Sequence, residues 1–469
     1  MPLVPALLLA GLAPLGGAGD EPSREAEAAE RFAAAERHVA RGRHARAVSE
    51  YRLVARVYPA TEAGRAAAER TRPTAFLGSA DLLRHGPSGN RVDVVVTGDG
   101  YTLDQQDRFD DVAKVVPRLF EHDPLLQEYL RYHNFVRMNL VSAEAGVDGF
   151  GREYETACGA YTLGTWSGHV AVDVAATRRW LDELPGHDGH AIVYVKRGVL
   201  GSGGGGIAAV GGRGDATTIH EWGHAFAGLG DEYTTSNGHQ ITLGRTFAGR
   251  ANLSVTDDPD LVPWRHFLDE GVRGVGVYEG AAGRVEGVFK PTASSCRMEN
   301  GQFFCPVCAE AIVLRIHQLV DPIDRVDPPA HPEWVTPEVG ALANPLVDGE
   351  VTFEVEVLRP SSHDLEVSWW VLPHQRVPPH PRPPRTRHGD RRDRGPLPPV
   401  GAEPFETTRE GHPGIHRFTL RAREHEPGHA LVLCRVRDDT RLRGERHPIV
   451  IRDEHDLLVS ERRWWVLVE

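Results

Sequence analysis

The sequence predicts an α/β domain with a short helical hairpin before it and a β-sandwich after it. Three observations predict this order. Residues 22–71 are dominated by Ala and Glu, without strand-like alternation. Between Val92 and Val195, apolar strand-like runs alternate with amphipathic helical ones. From about residue 335, apolar and polar residues alternate with period two.

The chain has 469 residues, enough for about three domains. Its 53 basic and 66 acidic residues leave a net charge of −13, the wrong sign for a general nucleic-acid binder. Only Lys114, Lys196 and Lys290 are lysines, so almost all basic charge is Arg. No internal stretch approaches the 18 apolar residues of a membrane span, so no internal transmembrane segment is expected.

The elements are justified in chain order. The apolar run Leu3–Leu15, followed by Gly16-Gly17-Ala18-Gly19, reads as a signal peptide over 1–19, cut near Ala18. The mature chain is then expected outside the cytoplasm: secreted, periplasmic or at the cell surface. Residues 20–73 form the hairpin, broken at Gly42 and ended by Tyr58-Pro59. Ala40–Arg43 with Ala47 and Tyr51 resembles one tetratricopeptide unit, but one unit cannot stack into a solenoid. A hairpin packed on its neighbour is the simpler reading.

Val92, Val94, Val95 and Val96 begin a strand that Gly98-Asp99-Gly100 ends. An amphipathic helix over Leu103–Phe120 follows, with Phe109, Val112, Val116 and Leu119 on one face. A second strand spans Asn134–Val141 and a third Ala191–Val195, with a helix near 170–184 between them. Gly201–Gly206 lacks the Gly-Lys-Ser/Thr ending of a phosphate loop and reads as a flexible loop beside an active site. Over 335–469, strands are expected at 351–357, 365–372, 416–420, 430–436 and 464–468. The Pro/Arg-rich stretch 373–404 interrupts them as a mobile loop.

The chemistry is concentrated at His220-Glu221-Trp222-Gly223-His224. Residues four apart share one face of a helix, so both imidazoles can bind one Zn²⁺. Glu221 can take a proton from water activated by that ion. Ile219, Trp222, Gly223 and Phe226 lie on the other face and can enter a core. Asp215 is positioned to cap the helix, which is a better use for it than the adhesion tripeptide Arg213-Gly214-Asp215. Gly228 ends the helix, and a third ligand can arrive from the following loop. Asp231 is the first candidate and Glu232 the second. This arrangement is metzincin-like, with departures: the glycine and the third ligand each fall one residue later than in that pattern, and the ligand is a carboxylate in place of His.

His220 through Tyr233 resembles the zinc signature of the M64 family of metallopeptidases, the IgA-peptidase-like group. Val92–Thr102, Ser142–Asp148, Tyr278-Glu279-Gly280, Phe289-Lys290-Pro291 and Ser295–Met298 resemble further segments of that family. The resemblance covers roughly residues 90–320 and implies zinc and peptide-bond hydrolysis, without implying IgA as substrate. With it, the fold reading becomes a metzincin-like α/β zinc peptidase domain over 85–325 and an Ig-like sandwich over 335–469. Met298, one of three methionines, fits a methionine turn beneath the metal; a plain core methionine is the alternative. Tyr233 and Tyr278 are candidates for stabilising the oxyanion.

Five cysteines are present: Cys158, Cys296, Cys305, Cys308 and Cys434. For Cys296, Cys305 and Cys308 a structural disulfide is favoured over a second zinc site, which has too few evident partners, and over a redox motif. The functional expectation is an exported zinc metalloendopeptidase acting on a protein or peptide, with the strand near 191–196 presenting its edge to an extended peptide. Two alternatives stay open: a non-catalytic zinc-containing binding or surface protein, and a zinc hydrolase of a non-peptide amide. The intact Glu221 argues against the first.

Overall fold

The computed structural model describes residues 21–149, 151–163, 168–212, 215–235, 249–331, 346–373, 403–408, 414–442 and 444–469. The expected signal peptide, Arg213-Gly214 and nearly all of the Pro/Arg-rich loop lie outside the described residues.

The N-terminal unit has three helices where a hairpin was expected: α1 (Glu21–Ala40), α2 (His44–Val57) and α3 (Glu62–Glu69). Gly42 turns the chain between the first two with φ +69°. Tyr58 and Pro59 do end α2, but Thr61 starts a new helix by accepting a hydrogen bond from the Gly64 N–H. Val39, Tyr51, Val54 and Ala67 bury against Leu77 and Val141 of the neighbouring sheet, and the Tyr51 hydroxyl donates to the Leu77 carbonyl. The unit therefore packs on its neighbour and does not build an array.

That sheet has six strands. They are β1 (Ala75–Leu83), β2 (Val92–Asp99) and β3 (His133–Val141), then, after the two-residue pair β4 (Tyr161–Thr162) and β5 (Val170–Ala171), β6 (His190–Val195), β7 (Gly201–Gly204) and β8 (Ile207–Gly211). Their order is β1-β3-β2-β6-β8-β7. The four middle strands run parallel, while β1 and β7 are antiparallel to their neighbours. The apolar runs Val94–Val96 of β2 and Ala191–Val195 of β6 reflect burial on both faces.

Four features differ from expectation. β1 was not anticipated, because its Gly78, Ser79 and Asp81 hide the apolar pattern. The single helix over 103–120 is two, α4 (Gln106–Ala113) and α5 (Val116–His122), since Pro117 has no N–H to continue the ladder and its ring crowds the preceding turn. The glycine run is not a loop, for its first four residues are strand β7. And β6 pairs on both sides, so it has no free edge to offer a peptide.

The parallel strands are joined by α4, α5, α6 (Pro124–Glu128) and α7 (Val174–Leu181). The segments around Thr97–Thr102 and Ser142–Asp148 meet at the end of β2. Buried Asp99 accepts from the Cys158 and Ala160 N–H groups, and Ser142 Oγ accepts from those of Gly100 and Ala157. The chain continues through α8 (Asp215–Ala227), α9 (Arg265–Asp269), the hairpin β9 (Tyr278–Ala281) and β10 (Arg284–Lys290), and α10 (Pro306–Leu319).

Two sheets pack face to face at the C-terminal end. One is β11 (Ile323–Asp327), β13 (Glu350–Val357) and β16 (Ile415–Arg421). The other comprises β12 (Leu346–Val347), β14 (Glu366–Pro373), β15 (Glu406–Thr408), β17 (Gly428–Arg437) and β18 (Val459–Val468). Phe353, Val355 and Leu420 of the first bury against Trp369, Val432, Cys434 and Trp464 of the second. The sandwich starts at β11, before the expected residue 335, because Val326 and Asp327 pair with β13.

A buried polar cluster joins the sandwich to the preceding domain. Asp438 accepts from Tyr129 Oη, His317 Nε2, His363 Nε2 and the Thr440 N–H, and His363 Nδ1 reaches Glu128.

Candidate active site

Helix α8 begins at Asp215, so this residue lies in the first helical turn and not at the cap. Its negative charge still complements the helix dipole there. One face of α8 carries Trp222 and Phe226, stacked with ring centroids 4.9 Å apart and buried among Phe120 and His190. A second face lies against β7, where side chains are excluded. A Cβ on Gly201 would sit 2.5 Å from Glu221 Cγ, and one on Gly203 would sit 2.3 Å from the Glu221 carbonyl oxygen. The glycines of β7 thus let the sheet press directly on the helix. Gly223 does the same on the other side, where its Cβ would meet Met298 Sδ at 2.9 Å.

The helix stops at Gly228, whose φ is +65°. The turn that follows is clamped from outside. Arg250 Nη1 donates to the carbonyls of Gly228 and Leu229. Asn252 accepts from the Gly230 N–H and donates to the Gly230 carbonyl. This clamp brings Asp231 back over the helix. Nothing in the sequence spacing singles out Arg250 or Asn252, since both act on backbone atoms from some 20 residues away.

His220, His224 and Asp231 come together. His220 Nε2 and His224 Nε2 are 3.1 Å apart, and Asp231 Oδ1 lies 3.1 and 3.0 Å from them. Each imidazole is oriented from behind: His220 Nδ1 donates to the Arg297 carbonyl and His224 Nδ1 to the Leu229 carbonyl. With Nδ1 protonated, both neutral rings present a bare Nε2. Two nitrogen lone pairs and a carboxylate oxygen therefore converge with no proton of their own to share. That donor set fits a cation, and the spacing is close to the ~3.3 Å between nitrogen ligands of a tetrahedral zinc.

Glu221 stands apart from this trio. It is buried, and its Oε2 has no hydrogen-bond partner among the described residues. Burial pushes its carboxyl up to about 8; His220 pulls against the rise and Asp231 adds to it.

Tyr233 lies beside the trio, its ring 6.2 Å from that of His220. Burial, Asp231 and Glu221 all raise its hydroxyl pKa, so it stays a proton donor. Tyr278 does not join it but lines a separate cavity with Ser295, Phe303 and Pro306. Met298 is fully buried under α8, and its carbonyl accepts from the Glu232 N–H at 2.8 Å. Glu232 turns away from the histidines into a pocket of cysteines. Cys296, Cys305 and Cys308 do gather there, but as free thiols. The expected bridge is absent, with Cys296 and Cys308 3.8 Å apart at Sγ against about 2.05 Å for a disulfide. Cys434 is a buried free thiol in the sandwich.

Residues 80–273 match the family model described as IgA Peptidase M64. No curated protein matches the chain. The matched stretch contains α8, the turn with Asp231, and both clamp residues.

Proposed function

We propose, from the premise that this chain carries an M64 peptidase domain, that it is an exported zinc-dependent endopeptidase acting on proteins or peptides. Family membership supplies the metallopeptidase class. The observation that supports zinc and a general base is the convergence of two bare imidazole nitrogens and one carboxylate oxygen beside the buried Glu221, whose Oε2 has no partner among the described residues; export rests on the apolar Leu3–Leu15 run alone.

His220, His224 and Asp231 would hold the zinc. When bound, it supplies a Lewis acid that polarises a peptide carbonyl and acidifies a water. Glu221 takes the proton of the attacking water and passes it to the departing amine. The C–N bond then breaks to give a carboxylic acid and a free amine. Tyr233 donates a hydrogen bond to the oxygen on which negative charge develops. Burial of Glu221 between α8 and β7 keeps bulk water from competing for its proton. β7, the last strand of the sheet and the one pressed on α8, replaces β6 as the strand along which an extended peptide adds.

Metal content tests the ligand set. Replacing both His220 and His224 by Ala is expected to remove one equivalent of zinc per chain, by elemental analysis of the purified protein. Asp231→Ala should weaken that same site, and Glu232→Ala should leave it occupied. A double histidine variant with the full metal content of the parent means that the ligands lie elsewhere. In the Cys308→Ser background, loss of this equivalent in Glu232→Ala but not in Asp231→Ala reverses the carboxylate assignment.

A further inference from the structure

We propose that Cys296, Cys305, Cys308 and Glu232 form a second, structural zinc site behind the catalytic one. The four residues come from three places in the chain: the turn after α8, the turn that carries Met298, and the N-terminus of α10. All four are buried, and their ligand atoms lie within 4.8 Å of one another.

The distances describe a coordination shell. Glu232 Oε1 lies 3.4 Å from Cys296 Sγ, 3.2 Å from Cys308 Sγ and 3.8 Å from Cys305 Sγ. Cys296 and Cys308 Sγ are 3.8 Å apart. A tetrahedral zinc with bonds of ~2.3 Å to sulfur and ~2.0 Å to oxygen requires edges of about 3.8 Å between sulfurs and about 3.5 Å between sulfur and oxygen. A disulfide could use only two of the three sulfurs. It would leave the third thiol and a buried carboxylate facing each other.

The surroundings prepare the site for a cation. Thr292 Oγ1 donates to Glu232 Oε2, which leaves Oε1 turned toward the sulfurs, and Asn252 Nδ2 steadies Oε1 at 2.9 Å. The Cys305 N–H points at Cys296 Sγ. Burial pushes the Cys305 and Cys308 thiols up, so a bound cation is what would hold them as thiolates, and their place at the positive end of the 14-residue α10 eases that ionisation. Four protein ligands close the shell and leave no position for substrate, which makes the role structural. Soft thiolate donors select zinc over magnesium or calcium.

The consequence reaches the catalytic residues. Glu232 follows Asp231 directly, and Cys296 precedes Arg297, whose carbonyl orients His220. A metal held here ties the third ligand, the histidine support and the Met298 turn into one rigid unit.

The test uses the full chain and has arms that separate the two sites. Elemental analysis should find two zinc ions per wild-type chain and one in His220→Ala/His224→Ala. Cobalt loaded into that double variant should give the strong near-ultraviolet thiolate-to-cobalt absorption that a histidine–carboxylate site cannot produce. Cys308→Ser in the same background should abolish it. Should that variant fail to fold, thiol labelling of the wild type decides: the three cysteines should resist labelling until a chelator is added. A double variant without zinc and without the cobalt–thiolate band overturns the proposal, as does a disulfide among these cysteines found by mass. If the wild type and the double variant each hold one metal with the thiolate band, this site stands and the catalytic ligand set falls.

Discussion

Glu221→Gln is expected to lower peptide hydrolysis by about 10²–10⁴-fold while leaving zinc content and melting temperature almost unchanged. The amide has the shape of the carboxylate, so the close packing of Glu221 Cγ under Gly201 is kept. Among the described residues, Oε2 has no hydrogen-bond partner to lose. A neutral amide is also easier to bury than a carboxylate. What disappears is the ability to accept the proton of water and return it to the leaving amine. The three convergent donor atoms belong to other residues, so metal retention separates a lost base from a lost metal. Turnover, elemental analysis and thermal unfolding on one preparation check all three parts. Full activity in this variant contradicts the role given to Glu221.

The second large effect is on stability, at the junction of the two domains. Asp438→Ala should destabilise the protein by about 3–5 kcal/mol, because it strands buried partners of a fully enclosed charge. His317, His363, Tyr129 and the Thr440 N–H all lose their acceptor. The same cluster predicts a pH dependence. Burial disfavours charge on His363, but its bonds to Asp438 and Glu128 prevail and raise it to about 10. The folded protein therefore holds this proton more tightly than the unfolded chain, whose His titrates near ~6.5. That contribution is complete below ~6.5 and is lost as pH rises through about 10. Burial also opposes ionisation of Asp438, yet His317 and His363 keep its carboxyl well below the ordinary value. Its contribution is present above ~3.9 and is lost as pH falls below that. Melting temperature should thus decline on both sides of a plateau between pH ~4 and ~6.5, and Asp438→Ala should flatten the curve. A melting temperature no lower than that of an exposed control such as Glu426→Ala contradicts the account.

The part of the site legible in sequence was the part carried by one helix. His220, Glu221 and His224 follow from a fixed 3.6-residue period, and Gly228 from the need for positive φ after the last turn. The position of Asp231 followed from the same turn. The clamp on that turn was not legible, because Arg250 and Asn252 act on backbone atoms and any donor at the right place would serve. The glycine run read as a loop because glycine normally weakens strands. Here the demand for close approach to α8 outweighs that propensity. In sequence Glu232 reads as a spare ligand for the first metal, since spacing cannot reveal which way a side chain turns at a bend. Its cysteine partners lie 64 to 76 residues away and meet it only through the fold. In the sandwich, period-two alternation marked the long strands, whereas short β12 and β15 and the early β11 had too few residues to show a period.

The most direct test of the central claim is cleavage of a mixed peptide library by the zinc-loaded protein, read by mass spectrometry. New amino termini and carboxylates should appear at internal peptide bonds, vanish when a chelator empties the His220–His224–Asp231 site, and return on adding zinc. A zinc-loaded, folded protein that leaves every peptide intact, or cleavage that persists in the His220→Ala/His224→Ala variant, would contradict it.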